Sequence, residues 1–239
     1  MGPANAAAWV YHRRLHFFSE LATMPLQTLK IDFVSDVSCP WCVIGLKALE
    51  QAAERVKNEV AIDLHFQPFE LNPQMGPEGQ DIAEHLFEKY GATPEQSQGN
   101  RDAIAARGAE LGFTFSMDKR SRIYNTFDAH RLLHWAEEKG LQSALKHALF
   151  KAYFTDGLSP ASHEVLARVA GEVGLDADEA RALLASDRYA NEVRERAQFY
   201  LQNGIHSVPA VIINERHLIS GGQPVEVFEQ ALRQIAAQA

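Results

Sequence analysis

Cys39-Pro40-Trp41-Cys42 contains the only two cysteines in 239 residues, and the pair stands where one hydrophobic period gives way to another. Leu29-Lys30-Ile31-Asp32-Phe33-Val34-Ser35 alternates with a period near two and is rich in apolar and β-branched residues, which predicts a strand. From Trp41 to Val56 the apolar residues Val43, Ile44, Leu46, Leu49, Ala52, Ala53 and Val56 recur at helical spacing. Pro40 suits a first helical turn, because its missing N–H would be unpaired there in any case. The dithiol therefore opens a helix. A thiolate at a helix N-terminus is stabilised by unpaired backbone N–H groups and the positive end of the helix dipole, so Cys39 is the expected nucleophile. Cys42, one turn further along the same face, is placed to attack a mixed disulfide on Cys39 and release the partner in reduced form.

Two other uses of C-x-x-C are less compatible with this chain. Structural zinc needs two more ligands, and His130 with His134 offers an H-x3-H pair on one helix face. The stretch between the pairs is several times longer than the usual gap of roughly 12–15 residues. A structural disulfide between cysteines this close would close only a tiny loop and stabilise little through chain entropy.

A second element stands far along the chain. In Ser207-Val208-Pro209-Ala210-Val211-Ile212-Ile213-Asn214 a proline opens a short β-branched run, and X–Pro bonds are the ones with an appreciable cis population. A proline that merely starts an edge strand would look the same. Next to a C-x-x-C helix, the functional reading is a cis-Pro209 closing against the sulfurs, with the Val208 backbone free to pair with a bound peptide or thiol.

With these residues in place the chain resembles the DsbA-like thioredoxin-fold oxidoreductases, and more closely their FrnE-like branch. The resemblance runs from about Leu29 to Ile235. It rests on the strand and C-P-W-C opening, on Phe69-Glu70-Leu71-Asn72-Pro73, on Asn125-Thr126-Phe127-Asp128-Ala129-His130-Arg131, and on Gly204-Ile205-His206-Ser207-Val208-Pro209 followed by Gly221-Gly222. The related kappa-class glutathione transferases and 2-hydroxychromene-2-carboxylate isomerases resemble it too, but carry serine at the position of Cys39 and lack the second cysteine. The resemblance implies an α/β chain with a thioredoxin fold and a large all-helical insertion between the second and third strands. It implies catalytic Cys39 and Cys42, active-site support from Pro40, Trp41, Val208 and Pro209, and substrate contacts from Asn125, His130, His206 and Ser207, with Arg131 on the same helix facing the thiols. It also implies a homodimer.

The remaining sequence fits that layout. Ala61 to Phe66 reads as a second strand reached by a right-handed crossover. Helices are predicted near Asp81 to Tyr90, Pro94 to Leu111, Ile123 to Lys139, Gln142 to Thr155, His163 to Val173, Ala177 to Ala185 and Arg188 to Asn203, with a capping box at Thr93 to Gln96 and another cap at Asp176. Ala210 to Asn214 and His217 to Ser220 read as a hairpin. Val225 to Ala236 reads as a last helix laying Val227, Phe228, Leu232 and Ile235 on the sheet. The expected division is an N-terminal extension over residues 1–27, a thioredoxin-like unit over 28–75 and 204–239, and a helical insertion over 76–203.

Composition narrows function by exclusion. A formal charge of −8 argues against nucleic acid as the main partner, and no stretch approaches the roughly 20 apolar residues of a bilayer span. Ala6-Ala7-Ala8-Trp9-Val10 is too short and too badly flanked for a secretory signal, and Met24 is a plausible alternative start. The expectation is a cytoplasmic protein in which disulfides are transient and catalytic.

Several side chains keep two readings. Trp41 suits either the rim of the site or the core. His130 and His206 suit proton transfer or touching the thiolate, against packing and solvent exposure. Asp36 and Glu70 suit proton acceptance near Cys42, against ordinary solvated carboxylates. The principal hypothesis is a thiol–disulfide oxidoreductase or isomerase acting on disulfide-containing proteins or small thiols. It needs no metal and no other cofactor, and glutathione serves as the candidate co-substrate. The alternatives are a glutathione-dependent transferase or isomerase acting on a small aromatic substrate, in which Cys42 is dispensable, and a holdase using an apolar groove.

Overall fold

The computed structural model describes residues 26–238, so most of the expected N-terminal extension, with Met24, lies outside the described residues. Strand β1 (Gln27–Ser35), helix α1 (Pro40–Val56) and strand β2 (Val60–Pro68) form a parallel β-α-β unit. The chain then leaves the sheet through β3 (Gln80–Asp81), α2 (Ile82–Tyr90), α3 (Pro94–Glu110), β4 (Arg122–Ile123), α4 (Phe127–Glu138), α5 (Gln142–Phe154), α6 (His163–Glu172), α7 (Ala177–Leu184) and α8 (Ala190–Gln202). It returns with β5 (Ala210–Ile213), β6 (His217–Ser220) and α9 (Val225–Ala236). The sheet order is β2-β1-β5-β6, with β5 antiparallel to both of its neighbours. This is the expected α/β thioredoxin fold interrupted by a mainly helical insertion.

The period-two pattern of β1 fixes the layers. Leu29, Ile31 and Phe33 point into a core shared with Ile44, Leu49 and Ala52 of α1 and with Phe228 and Leu232 of α9. On α9 the buried residues are Val225, Phe228, Leu232 and Ile235, while Val227 is largely exposed. Spacing of three, four and three keeps those four on one stripe, and Val227 falls about 100° short of Phe228 around the helix, so the expected stripe is corrected at that position. The inserted helices form a second core from Leu132 and Ala136 of α4, Leu145 and Leu149 of α5, Leu166 and Val169 of α6, and Leu183 of α7. Val37, from the loop between β1 and α1, enters this second core.

The insertion is not wholly helical. Gln80–Asp81 pairs antiparallel with Arg122–Ile123, and two-residue strands carry no readable period. That pairing also corrects the start of α4, expected at Ile123 and observed at Phe127. Ile123 is held in the ribbon, and Asn125 Oδ1 accepts the Phe127 N–H at 2.9 Å. Helix α8 begins at Ala190 rather than Arg188 because Tyr189 adopts a left-handed conformation, φ 63°. Gln27, placed by sequence in the extension, already pairs with Val60.

One polar side chain closes the outer edge of the sheet. Gln142, at the start of α5, accepts the Phe66 N–H at 2.9 Å through Oε1 and donates to the Phe66 carbonyl at 3.0 Å through Nε2. Its amide satisfies β2 as a neighbouring strand would, in a buried setting where unpaired backbone groups are costly. We expect Gln142→Ala to lower unfolding free energy by roughly 2–4 kcal/mol in urea denaturation, because it leaves one buried donor and one buried acceptor without partners. A change within about 0.5 kcal/mol would contradict this account of the edge.

Candidate active site

Cys39 is the N-cap of α1, in extended conformation (φ −91°, ψ 114°), and Pro40 occupies the first turn. Both cysteines are free thiols. Cys42 is fully enclosed and Cys39 is 4% exposed, so the pair reaches solvent almost entirely through Cys39. The Cys39 thiol donates to the Val208 carbonyl at 3.8 Å, and the Val208–Pro209 peptide bond is cis. Burial, reinforced by the adjoining Cys39 sulfur, pushes the Cys42 thiol well above its ordinary range. The two sulfurs therefore occupy chemically different settings.

The loop that delivers Cys39 is pinned by Asp36. This carboxyl group is completely buried, accepts the Ser38 N–H at 3.0 Å through Oδ1 and accepts the Leu71 N–H at 2.7 Å through Oδ2. The Asp36 carbonyl accepts the Cys39 N–H at 3.2 Å. One residue thus ties the loop after β1 to the segment after β2. The solvated-carboxylate reading of Asp36 is corrected, because its oxygens serve as backbone acceptors inside the protein. Glu70 beside it is half-buried, and burial together with the Asp36 charge pushes it up to about 7.

Two glycines let three segments meet at the sulfurs. A Cβ on Gly45 would come within 2.9 Å of Pro209 Cγ, and one on Gly222 would meet the Trp41 carbonyl oxygen at 3.1 Å and the Trp41 ring at 3.3 Å. Helix α1, the Pro209 loop and the turn before α9 therefore touch through bare backbone. Trp41 is 44% exposed, which settles its two readings in favour of the rim. His206 and Ser207 are exposed beside Val208, which is half-buried.

Two expected substrate contacts, His130 and Asn125, and Arg131, expected on the helix face toward the thiols, are used elsewhere. His130 is buried and its Nε2–H donates to the Phe69 carbonyl at 3.0 Å, with Asp36 Oδ1 at 4.0 Å. Burial pulls its pKa down to about 4, so at neutral pH it is an uncharged structural donor closed off from substrate. Arg131 turns away from the thiols and binds the carbonyls of Leu183, Ser186 and Arg188 at the end of α7. Asn125 spends its amide locally, on the Phe127 N–H and the Pro73 carbonyl at 3.3 Å. The H-x3-H pair does not converge either, since His134 packs on Tyr189 with ring centroids 4.8 Å apart.

Sequence reading missed Lys146. It is fully buried on α5, where it shares a helical stripe with Gln142, Leu149 and Phe150. A lysine at a core position of a mainly apolar stripe was the available signal. A concavity of about 1080 Å³ lies away from the dithiol. It opens on the sheet face carrying Lys30 and Asp32, opposite Ile31 and Phe33, and is walled by Arg196 and Tyr200 of α8.

Comparison with known proteins follows this geometry closely. Residues 30–233 match the family model of the DsbA-like thioredoxin domain. A probable DsbA oxidoreductase from Streptomyces coelicolor superposes with a TM-score of 0.83 at 35% identity, covering 88% of this chain and 91% of that one. An uncharacterized Bacillus subtilis protein, YwbO, is 26% identical over 206 residues, 86% of this chain and 96% of the relative. The cytosolic disulfide reductase DsbM from Pseudomonas aeruginosa, in a structure with GSH, shares the fold at a TM-score of 0.60 and 18% identity, covering 86% of this chain and 98% of that one.

Gly45→Ala would ordinarily gain helix stability of up to about 1 kcal/mol. Here we expect a net loss in chemical denaturation, because the new methyl group meets the rigid Pro209 ring; a gain would show that the contact relaxes freely. His130 supplies a pH test. Its folded pKa lies below the unfolded value of about 6.5, so the unfolded chain binds the extra proton first and stability falls as pH drops from that value through about 4. Replacing His130 by Gln should flatten this part of the stability profile, and an unchanged slope would contradict the assignment.

Proposed function

The chain belongs to the DsbA-like thioredoxin domain family, and on that footing we propose that it is a thiol–disulfide oxidoreductase or isomerase with Cys39 as nucleophile and Cys42 as resolving thiol. The observation that carries the reading is the asymmetric free dithiol at the start of α1, with Cys39 against the Val208 carbonyl and Cys42 enclosed behind it. A thiolate on Cys39 gains from the helix N-terminus. Loss of its proton also ends the thiol's donation to Val208, freeing that carbonyl for a client backbone.

Catalysis then takes two exchanges. The Cys39 thiolate attacks one sulfur of a client disulfide, the new S–S bond forms as the client S–S bond breaks, and one client sulfur leaves as thiolate. Cys42 next attacks the Cys39 sulfur, and the second client sulfur leaves. The client gains two electrons and the protein is left with a Cys39–Cys42 disulfide. In the reverse direction the same steps oxidise a client dithiol. Cys39 is only 4% exposed, so an extended segment or a small thiol reaches it best, passing Trp41 and the exposed His206 and Ser207. Pro209 shapes the floor of this entrance and Pro40 starts the helix. Clients are disulfide-containing proteins or small thiols, and glutathione is the candidate co-substrate. Both cysteines sit in the redox pair, a usage that fits a reducing, cytoplasmic setting. No helix among the described residues is long and apolar enough to cross a membrane.

The test uses both cysteine variants against a disulfide-bonded peptide in glutathione buffer. Cys39→Ser should lose turnover to background, while Cys42→Ser should accumulate a mixed disulfide visible by mass. Full exchange activity in Cys39→Ser would sink the assignment, and full turnover on a small aromatic substrate in Cys42→Ser would favour the transferase reading instead.

A further inference from the structure

Lys146 is a fully buried cation that the exchange steps above leave without a role. Gln142, a turn earlier on α5, fixes that helix to Phe66 of β2. Lys146 Nζ then lies over the rings of Phe150 at 4.8 Å and Phe66 at 5.8 Å, and it finds no hydrogen-bond partner among the described residues. Phe66 and Phe150 belong to the same core cluster as Cys39 and Cys42. A buried ammonium held only by ring faces is costly to a fold, and an apolar side chain of similar volume would be cheaper. Something other than stability is therefore served by it.

The groups facing Lys146 identify what that is. Cys42 and Cys39 approach from α1 and Asp36 from the loop after β1, with His130 from α4 on the far side of Asp36. His130 is uncharged at neutral pH, for the reason given above. Asp36 already accepts two backbone N–H bonds. Tyr153 of α5 donates its hydroxyl to the Arg122 carbonyl at 2.9 Å, and Glu50 of α1 is bound to His147. Of these groups only the two cysteines change charge during turnover, and Cys42 is the one with no exposure to solvent.

We propose that Lys146 sets the ionisation of Cys42, acting through that sulfur and touching no substrate. The inference rests on the dithiol reading above. In the resolving step the Lys146 ammonium stabilises the Cys42 thiolate as the thiol loses its proton, and that thiolate attacks the Cys39 sulfur of the mixed disulfide. The Cys42–Cys39 bond forms, the bond from Cys39 to the client sulfur breaks, and the client thiolate leaves with the electron pair. The departing client thiolate takes up the proton that Cys42 lost, and Lys146 keeps its charge throughout. Burial brings Lys146 down to about 8, so most of it still carries its charge near neutral pH.

Stopped-flow reaction of the reduced full-length protein with dithiobis-nitrobenzoate separates the steps. Attack by Cys39 releases the first coloured thiolate and resolution by Cys42 releases the second. In Lys146→Met we expect the first phase to stay within about threefold of wild type, and the second to slow by about tenfold or more at neutral pH, the effect of one pK unit or more on Cys42. The pH profile of the second phase should move to higher pH, while the melting temperature of the variant rises. Lys146→Gln, which keeps a polar end, is the second variant should the methionine form fold poorly, and it should show the same selective loss. A second phase within twofold of wild type across the pH range, or equal slowing of both phases, would overturn the role of Lys146 alone. A wild-type protein with no second phase would overturn the dithiol reading, and this inference with it.

Discussion

The placement of the sulfurs depends on Asp36. Its carboxyl group is buried, with the ring nitrogen of uncharged His130 at 4.0 Å, and it receives backbone N–H groups from Ser38 and Leu71. These two bonds hold the loop after β1 to the segment after β2, tying the strand end and the dithiol to the Phe69 segment. His130 closes the other side by donating to the Phe69 carbonyl. Without such local acceptors the loop would bury unpaired backbone donors, a cost comparable to that of several surface interactions.

Against this fixed loop the rest of the site closes by absence of side chains. Gly45 and Gly222 remove the atoms that would keep α1, the Pro209 loop and the turn before α9 apart. Close approach encloses Cys42 and leaves Cys39 as the narrow opening, with Trp41 marking its rim. Enclosure has a chemical consequence. It makes the Cys42 thiolate hard to form, and a charged or proton-accepting group within the same core then becomes useful in spite of its own burial cost. Lys146 is where that cost is met.

The inserted helices thus contribute more than a cover. Helix α5 closes the edge of β2 through Gln142 and carries Lys146 into the thioredoxin core, while Val37 from the motif loop enters the helical core in return. The sequence boundary between a thioredoxin-like unit and an insertion is not a boundary between independent cores. On the opposite sheet face Lys30, Asp32 and Gln67 line an open groove, away from the dithiol.

Sequence by itself determined the dithiol, the strand-to-helix junction that holds it, the proline facing it, and nearly every helix of the insertion. These are local properties: period, capping at Thr93 and Asp176, and residue spacing write them directly into the chain. It did not reveal the β3–β4 ribbon, whose strands are too short for any period, or the late starts of α4 and α8, which Asn125 and Tyr189 impose through particular backbone contacts. Nor could it assign His130, Arg131 and Asn125, whose polar groups look alike in sequence whether they face a substrate or a carbonyl. Only the tertiary structure decided that Asp36 is buried, that Trp41 is at the rim, and that Lys146 is buried against Phe66 and Phe150, because burial depends on which distant segments come together, and burial sets the energy of every charge at this site.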